Sequence, residues 1–412
     1  MAQYIFRRPR NPSSKATDAH QRRRSLCTPA RSYNWTMQCL EYLKQLIPFS
    51  SVSNTSNVEV SRWAETTLQE LGFETEWMEY TDPEGLQKVC VSGRKGPRES
   101  TAPGMAYFCH TDVVPVGSWS FPHSGPWEPF QTADRLYGRG SCDMKGSLAC
   151  MLAAVRAHQK ELKAPLYVVC TADEEIGLRG AERMVTDSSM YREIVSRQPK
   201  SIIGEPTLLS VVHAHKGGSG VRVTAEGVAA HSSTGKGVNA NFLMVPFLAD
   251  IKALVDELQG RAEWEDDRFD PPTTNINLGI NDHTPALNIT PAHSVATVCW
   301  RTMPGIDYEA LKQRVYSIVE RHHLKQETLF DSRPMFTDPD SDYIAELLEV
   351  TGTSASHTVS YGTDGSQFQE LQHAAVVGPG DIRQAHTDDE WISLDQLAKG
   401  TELYGRLINR WC

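Results

Sequence analysis

Apolar residues recur every three or four positions over residues 37–47 and 57–72, the spacing of helices with one buried face. Short apolar runs punctuated by Gly and Pro follow at 88–91, 105–114, 166–171 and 201–204. The last three are apolar on both faces, as buried parallel strands are. Helical patterns lie between them at 146–159 and 179–195. Strand alternating with helix predicts an α/β sheet with crossover connections. The pattern changes near Gly217. Residues 220–227 alternate apolar and polar, 239–258 reads as a long helix, 274–280 and 294–301 as strands, and 308–323 as a second helix. That succession predicts a compact α+β unit of the ferredoxin-like kind. Beyond Asp331 the α/β style resumes, with a helix at 341–350, a strand at 374–378 and a last helix at 394–409. A small unit, residues 216–329, is therefore expected to be inserted into a discontinuous larger one, residues 37–215 and 330–412.

Composition constrains little further; charge constrains more. The 412 residues are 40% apolar and 22% charged, an ordinary globular profile. No apolar run reaches the length of a membrane-spanning helix. The net charge of −10 argues against a nucleic-acid binder. It is unevenly spread: residues 1–33 hold eight basic side chains and one acid, a net of +7, leaving −17 for the rest. Residues 1–36 read as a disordered basic tail, with a nucleic-acid- or anionic-surface-binding arm, a targeting segment or a translation start at Met37 as the other readings. No apolar stretch follows its arginines, so it is not a secretory signal. Nine cysteines without a Cys-x-x-Cys pair read as reduced thiols in a cytoplasmic protein.

The chemistry falls where strands end. In open α/β sheets, sites form beyond the carboxyl ends of the strands. The run 105–109 leads into His110-Thr111-Asp112, the run 166–171 into Asp173-Glu174-Glu175, and the run 201–204 into Glu205. Asp143 comes just before a helix, and His386 follows the run 374–378. Carboxylates gathered so closely repel one another and stay partly protonated without a cation. Imidazoles mixed with carboxylates suit a zinc-type site. They offer more ligands than one tetrahedral ion takes, whereas two ions sharing a carboxylate accommodate them and suit hydrolysis. An acid in excess of the ligands is then the expected general base.

The motifs Cys109-His110-Thr111-Asp112-Val113-Val114-Pro115, Tyr137-Gly138-Arg139-Gly140-Ser141-Cys142-Asp143-Met144-Lys145-Gly146, Thr171-Ala172-Asp173-Glu174-Glu175-Ile176-Gly177, Gly204-Glu205-Pro206-Thr207 and Ala230-His231-Ser232-Ser233 resemble the M20 metallopeptidase family. Within it the likeness is to acetylornithine deacetylases first and succinyl-diaminopimelate desuccinylases next, over roughly residues 37–412. The resemblance implies a three-layer α/β/α di-zinc aminopeptidase-like catalytic domain with an inserted ferredoxin-like lid that dimerises. It implies two zinc ions, with cobalt or manganese as substitutes. His110 and Glu205 would hold one, Glu175 and His386 the other, and Asp143 would bridge them. Glu174 would be the general base, and Asp112 would sit behind His110 and fix its tautomer. A cis peptide is expected after Asp143. His231 would polarise the scissile carbonyl in a neighbouring subunit's site, while Asn288, Arg301, Gly362 and Thr363 would bind substrate. Lys216 is a further candidate for approaching an anionic substrate.

Three departures bear on substrate. Cys299 stands where the family usually has an acid, Asn281-Asp282-His283-Thr284 replaces a glycine pair, and Thr387-Asp388-Asp389 follows His386 where a lysine is usual. The resulting expectation is a cytoplasmic, homodimeric, zinc-dependent amidohydrolase acting on an N-acyl amino acid. N-acetylornithine, a substrate of arginine biosynthesis, comes first. Succinyl-diaminopimelate, another N-acyl amino acid or a dipeptide are the alternatives, and a non-catalytic metal-binding regulator is the rival class. No nucleic-acid or membrane partner is expected.

Overall fold

The computed structural model describes residues 29–282 and 286–412. Most of the expected tail, and His283 and Thr284 of the departing loop, lie outside them. The first helix, Pro29–Leu46, begins inside the segment expected to be unstructured. Residues 30–46 contain no Gly or Pro to stop it, and proline is favoured in a first helical turn.

The larger sheet has nine strands. Its order is Glu74–Thr81, Gln87–Lys95, Leu166–Thr171, Met105–His110, Lys200–Ile203, Ala374–Val376, Val212–His215 and Met335–Phe336, with His357–Val359 beside Val212–His215. Leu166–Thr171, Met105–His110, Lys200–Ile203 and Ala374–Val376 run parallel, so their carboxyl ends share one rim. Strand alternation fills both faces. Tyr107, Cys109, Val168 and Cys170 pack with Leu43, Leu148, Leu152 and Leu407 of the helices Pro29–Leu46, Lys145–Ala157 and Leu394–Trp411. Ala106, Phe108, Tyr167 and Val169 pack with Met184, Tyr191 and Ile194 on the other side. The result is helix layers on both faces of a mixed sheet.

The single helix expected at 179–195 is two, Arg179–Asp187 and Ser189–Arg197. Ser188 breaks it: its extended backbone caps the second helix, with its hydroxyl accepting from the Tyr191 N–H.

The smaller sheet is antiparallel, in the order Asn275–Asn281, His293–Thr302, Gly217–Glu226 and Lys325–Ser332. The helices Ala240–Leu258 and Tyr308–Arg321 bury Phe247, Ile251, Leu311 and Val315 against Val221, Val223, Val298 and Trp300. Strand, helix, two strands, helix, strand with this order is the ferredoxin-like arrangement. Its last strand runs past residue 329 to Ser332. The chain leaves and re-enters the larger sheet at adjacent points. A Cβ on Gly217 would lie 2.3 Å from the Pro334 nitrogen, so only glycine allows the two crossings to touch. Among the described residues no helix is long and apolar enough to cross a membrane, and every described cysteine is a free thiol.

Candidate active site

The shared rim collects the expected side chains. His110 ends its strand, Glu174 and Glu175 follow Leu166–Thr171, and Glu205 follows Lys200–Ile203. Asp143 sits in the loop before helix Lys145–Ala157, and its peptide bond to Met144 is cis, as expected. His386 approaches from a loop with φ of 64°.

Asp143 lies at the centre. Its Oδ1 is 3.2 Å from His110 Nε2 and its Oδ2 is 3.4 Å from His386 Nε2. Glu205 Oε1 is 3.5 Å from His110 Nε2, and Glu175 Oε2 is 3.0 Å from His386 Nε2. One carboxylate thus faces two separate imidazole–glutamate pairs. Ligand atoms of His110, Asp143 and Glu175 all lie within 4.8 Å of one another.

The electrostatics fit cations. Burial pushes the carboxyl groups of Glu174, Glu175 and Glu205 up, and neighbouring carboxylates push them further. Burial also acts to raise Asp143, but hydrogen bonds from His110 and His386 overcome it and hold it well below the usual range. Hydrogen bonds to Asp143 and Glu175 push His386 up to about 10. Carboxylates this crowded, with only two imidazoles facing them, form a donor set of mixed N and O character that divalent cations would neutralise.

Asp112 lies behind His110, with its backbone carbonyl nearer the ring than its carboxylate. The group that accepts from His110 Nδ1, at 2.9 Å, is the backbone carbonyl of Asp112; its carboxylate is 3.7 Å away. That hydrogen bond fixes the ring with Nε2 facing the centre. The carboxylate instead accepts from the N–H groups of Glu174 (3.2 Å) and Glu175 (3.3 Å) and from the Ser53 hydroxyl (2.7 Å).

A cleft of about 580 Å³ opens beside the centre, lined by Glu174, Glu175, His386, Arg301 and Gly362, with Arg179, Phe330 and Tyr361. The Arg301 guanidinium lies 5.6 Å from the centre of the Phe330 ring and pairs with no carboxylate among the described residues. Thr363 does not join this wall. It is buried, with its hydroxyl 2.9 Å from His215 Nε2 and accepting from the Gly365 N–H. Lys216 is likewise engaged elsewhere, donating to the carbonyls of Pro271 (2.8 Å) and Thr273 (3.0 Å). His231 and Asn288 are exposed on the smaller sheet's loops, outside the cleft, joined where the Ser232 N–H meets the Asn288 carbonyl.

The sequence reading missed Glu390. This buried carboxylate accepts from the N–H groups of Cys142 (2.8 Å), Asp143 (3.0 Å) and Gly140 (2.8 Å) and from Arg139 Nη1 (2.9 Å). It clamps the loop that presents Asp143. Asp364, buried and held by the Thr171 hydroxyl, was also missed; burial pushes it up to about 7.

An α/β sheet with an inserted ferredoxin-like unit and a buried donor set at its strand ends defines a class, and the family model described as Peptidase family M20/M25/M40 matches residues 106–410. The chain belongs to that family of metal-dependent hydrolases. An acetylornithine deacetylase from Myxococcus xanthus is 34% identical to it over 382 residues, 90% of this chain and 96% of that one. One from Proteus mirabilis is 30% identical over 389 residues, again 90% and 96%. Among solved structures, the Saccharomyces cerevisiae dipeptidase Dug1p superposes with a TM-score of 0.71 at 15% identity, covering 93% of this chain and 97% of that one. Human carnosine dipeptidase 1 gives 0.70 at 16%, with 92% and 98% covered. A dinuclear metal-binding M20 peptidase from Bacillus subtilis gives 0.57 at 13%, with 91% and 97% covered.

Proposed function

We propose that the chain hydrolyses the amide bond of an N-acyl amino acid, with Glu174 moving the proton. The observation that carries this reading is the division of the Asp143 carboxylate, Oδ1 toward His110 and Oδ2 toward His386. His110 and Glu205 would hold one divalent ion, Glu175 and His386 the other, and Asp143 both. The donor set matches zinc, with cobalt or manganese as substitutes. When bound, such ions supply Lewis acidity toward the acyl oxygen and acidify a water.

Glu174 takes a proton from the attacking water as the water's oxygen bonds to the acyl carbon. It then delivers the proton to the leaving nitrogen as the carbon–nitrogen bond breaks. Burial and the neighbouring Glu205, Glu175 and Asp364 raise its pKa while His110 opposes them, which suits both transfers. Arg301 meets the α-carboxylate through its two-pronged guanidinium, with Gly362 leaving room beside it. His231 and Asn288 reach this cleft from a second copy, giving a homodimer through the smaller sheet. In support, Phe242, Val245, Leu278 and Ile280 expose apolar surface on helix Ala240–Leu258 and the edge strand Asn275–Asn281. We place the enzyme in the cytoplasm.

N-acetylornithine is the first substrate, on the strength of the two deacetylase relatives. One observation favours an acyl group with its own carboxylate, as in succinyl-diaminopimelate: a second arginine, Arg179, lines the cleft, and its partner Glu84, 3.2 Å away, is largely solvent-exposed. The test is amine release from both substrates, before and after chelation, with wild type and Glu174→Gln. Chelation should abolish turnover and metal restore it, and the substitution should lower kcat by about 10²–10⁴. Chelator-resistant turnover, or full activity in Glu174→Gln, refutes the reading. Metal binding without turnover of any N-acyl amino acid favours a regulator.

A further inference from the structure

Lys88 is a buried charge outside the catalytic cleft. Its side chain is 1% exposed and that of Asp173 is fully covered, with Nζ 2.6 Å from Asp173 Oδ1. Nζ also donates to the carbonyls of Ser53 and Thr55, so its three N–H groups each have an acceptor. Tyr80 donates its hydroxyl to Asp173 Oδ2 at 2.8 Å. A buried pair of this kind adds little net stability over apolar side chains of similar size. What it does add is geometry, and the geometry here leads to Glu174.

Asp173 adopts a φ of 56°, a left-handed conformation uncommon outside glycine. The chain turns there, and the next two N–H groups, of Glu174 and Glu175, land on the two oxygens of Asp112. Ser53 completes the circuit: its hydroxyl donates to Asp112 Oδ2 and its carbonyl accepts from Lys88. Lys88, Asp173, the 174–175 backbone, Asp112 and Ser53 therefore form one closed loop of hydrogen bonds. Lys88 is the cation that joins its two halves.

We propose that Lys88 and Asp173 are a positioning pair for Glu174. They hold the turn that aims its carboxylate and touch neither substrate nor ion. This rests on reading Glu174 as the proton-transfer residue. Displacement of such a group by a fraction of an ångström to an ångström lowers turnover without altering how substrate binds.

The experiment uses metal-loaded full-length protein and N-acetylornithine, or whichever N-acyl amino acid it turns over best. The variants are Lys88→Met, Lys88→Met/Asp173→Asn and the mild Tyr80→Phe, with thermal midpoint and metal content measured alongside kcat and KM. Lys88→Met should lower kcat about tenfold or more with KM changed by less than about threefold. The double variant removes the Lys88–Asp173 charges together but leaves the buried Asp82 carboxylate, 3.8 Å from Nζ, without its cation, so it should recover part of the thermal stability and none of the kcat. Tyr80→Phe should lower kcat about two- to fivefold with KM unchanged. In a Glu174→Gln background, Lys88→Met should add less than about twofold, because it acts through that carboxylate. A double variant or Tyr80→Phe with wild-type kcat overturns the proposal. So does a kcat loss that tracks metal loss, or one that multiplies fully with Glu174→Gln. Full activity in Glu174→Gln alone is a different failure, that of the proton-transfer reading itself.

Discussion

Replacing Glu390 by glutamine tests whether the Asp143 loop is held electrostatically. Glu390 is 1% exposed and accepts from three backbone N–H groups and from Arg139, which is itself 2% exposed. An amide keeps one acceptor oxygen. Whichever way it turns, two of the four donors meet an NH₂ group. An unpaired buried donor costs about 1–3 kcal/mol. Breaking a buried ion pair from one side costs about 3–5 kcal/mol. These penalties overlap, because they count the same lost contacts, so the destabilisation is about 3–5 kcal/mol. For 412 residues the unfolding entropy is about 0.9 kcal/mol/K, so the thermal midpoint falls by about 3–6 °C.

The same change should reach the donor set. The Asp143 N–H is one of the four donors, and its carboxylate stands only 3.2 Å and 3.4 Å from the two imidazoles. Losing a group that orients a ligand weakens metal binding about 10–100-fold. The assay is a competition titration with a chelating dye, paired with melting curves of metal-free and metal-loaded protein. Because bound metal stabilises only the folded state, the metal-loaded form should lose more than the metal-free form. Glu390→Gln with wild-type metal affinity and wild-type midpoint would refute the reasoning.

Three further outcomes follow from single contacts. Burial pulls the His215 imidazole down to about 4, so unfolding takes up a proton between pH 6.5 and about 4. Stability should therefore fall with falling pH by about 1.4 kcal/mol per unit over that window, about 3 kcal/mol in all, and the slope should flatten in His215→Asn, read by denaturant melts. Arg301→Met should lower kcat/KM for N-acyl amino acids about 10–100-fold, yet leave an amide without a carboxylate unaffected; equal losses on both would exclude carboxylate recognition. Phe242→Glu with Ile280→Glu places charge on the exposed apolar face of helix and edge strand. Sedimentation should show monomers, and turnover should fall with dissociation if His231 serves the other copy.

Much of this architecture is readable from apolar spacing. Met105–His110, Leu166–Thr171 and Lys200–Ile203 are buried from end to end apart from Lys200, so their apolar runs declare them. Glu74–Thr81 escapes detection because it is a half-covered edge strand with Glu, Trp, Met and Tyr on both faces. Val212–His215 escapes because two of its four buried residues are histidines. His110, Glu174, Glu175 and Glu205 are legible because each sits within a few residues of a strand end, whereas Asp143 and His386 lie about six and ten residues beyond the preceding strands. The groups that support it are not: Glu390 is separated from its partners by about 250 residues, and Lys88 from Asp173 by 85. Nothing local to either residue signals that contact. Thr363 is a residue whose address in the sequence does not reveal its side-chain direction, since its hydroxyl turns inward to His215.

The buried acids around the site divide into two kinds. Asp112, Asp173 and Glu390 are each answered by the protein, through two N–H groups and Ser53, through Lys88 and Tyr80, and through three N–H groups and Arg139. Glu174, Glu175 and Glu205 are answered only by the two imidazoles and otherwise face one another. The first kind fixes geometry and the second stores repulsion that a cation relieves. Neutralising one of the second kind should therefore have opposite effects in the two forms. Glu205→Gln removes a charge that Asp143 and Glu175 oppose, so the metal-free protein should melt higher than wild type at pH 8. The metal-loaded protein should melt lower, because a ligand is lost. If Glu205→Gln destabilises the metal-free form instead, then Glu205 belongs to the first kind, and the electrostatic case for a cation beside His110 fails with it.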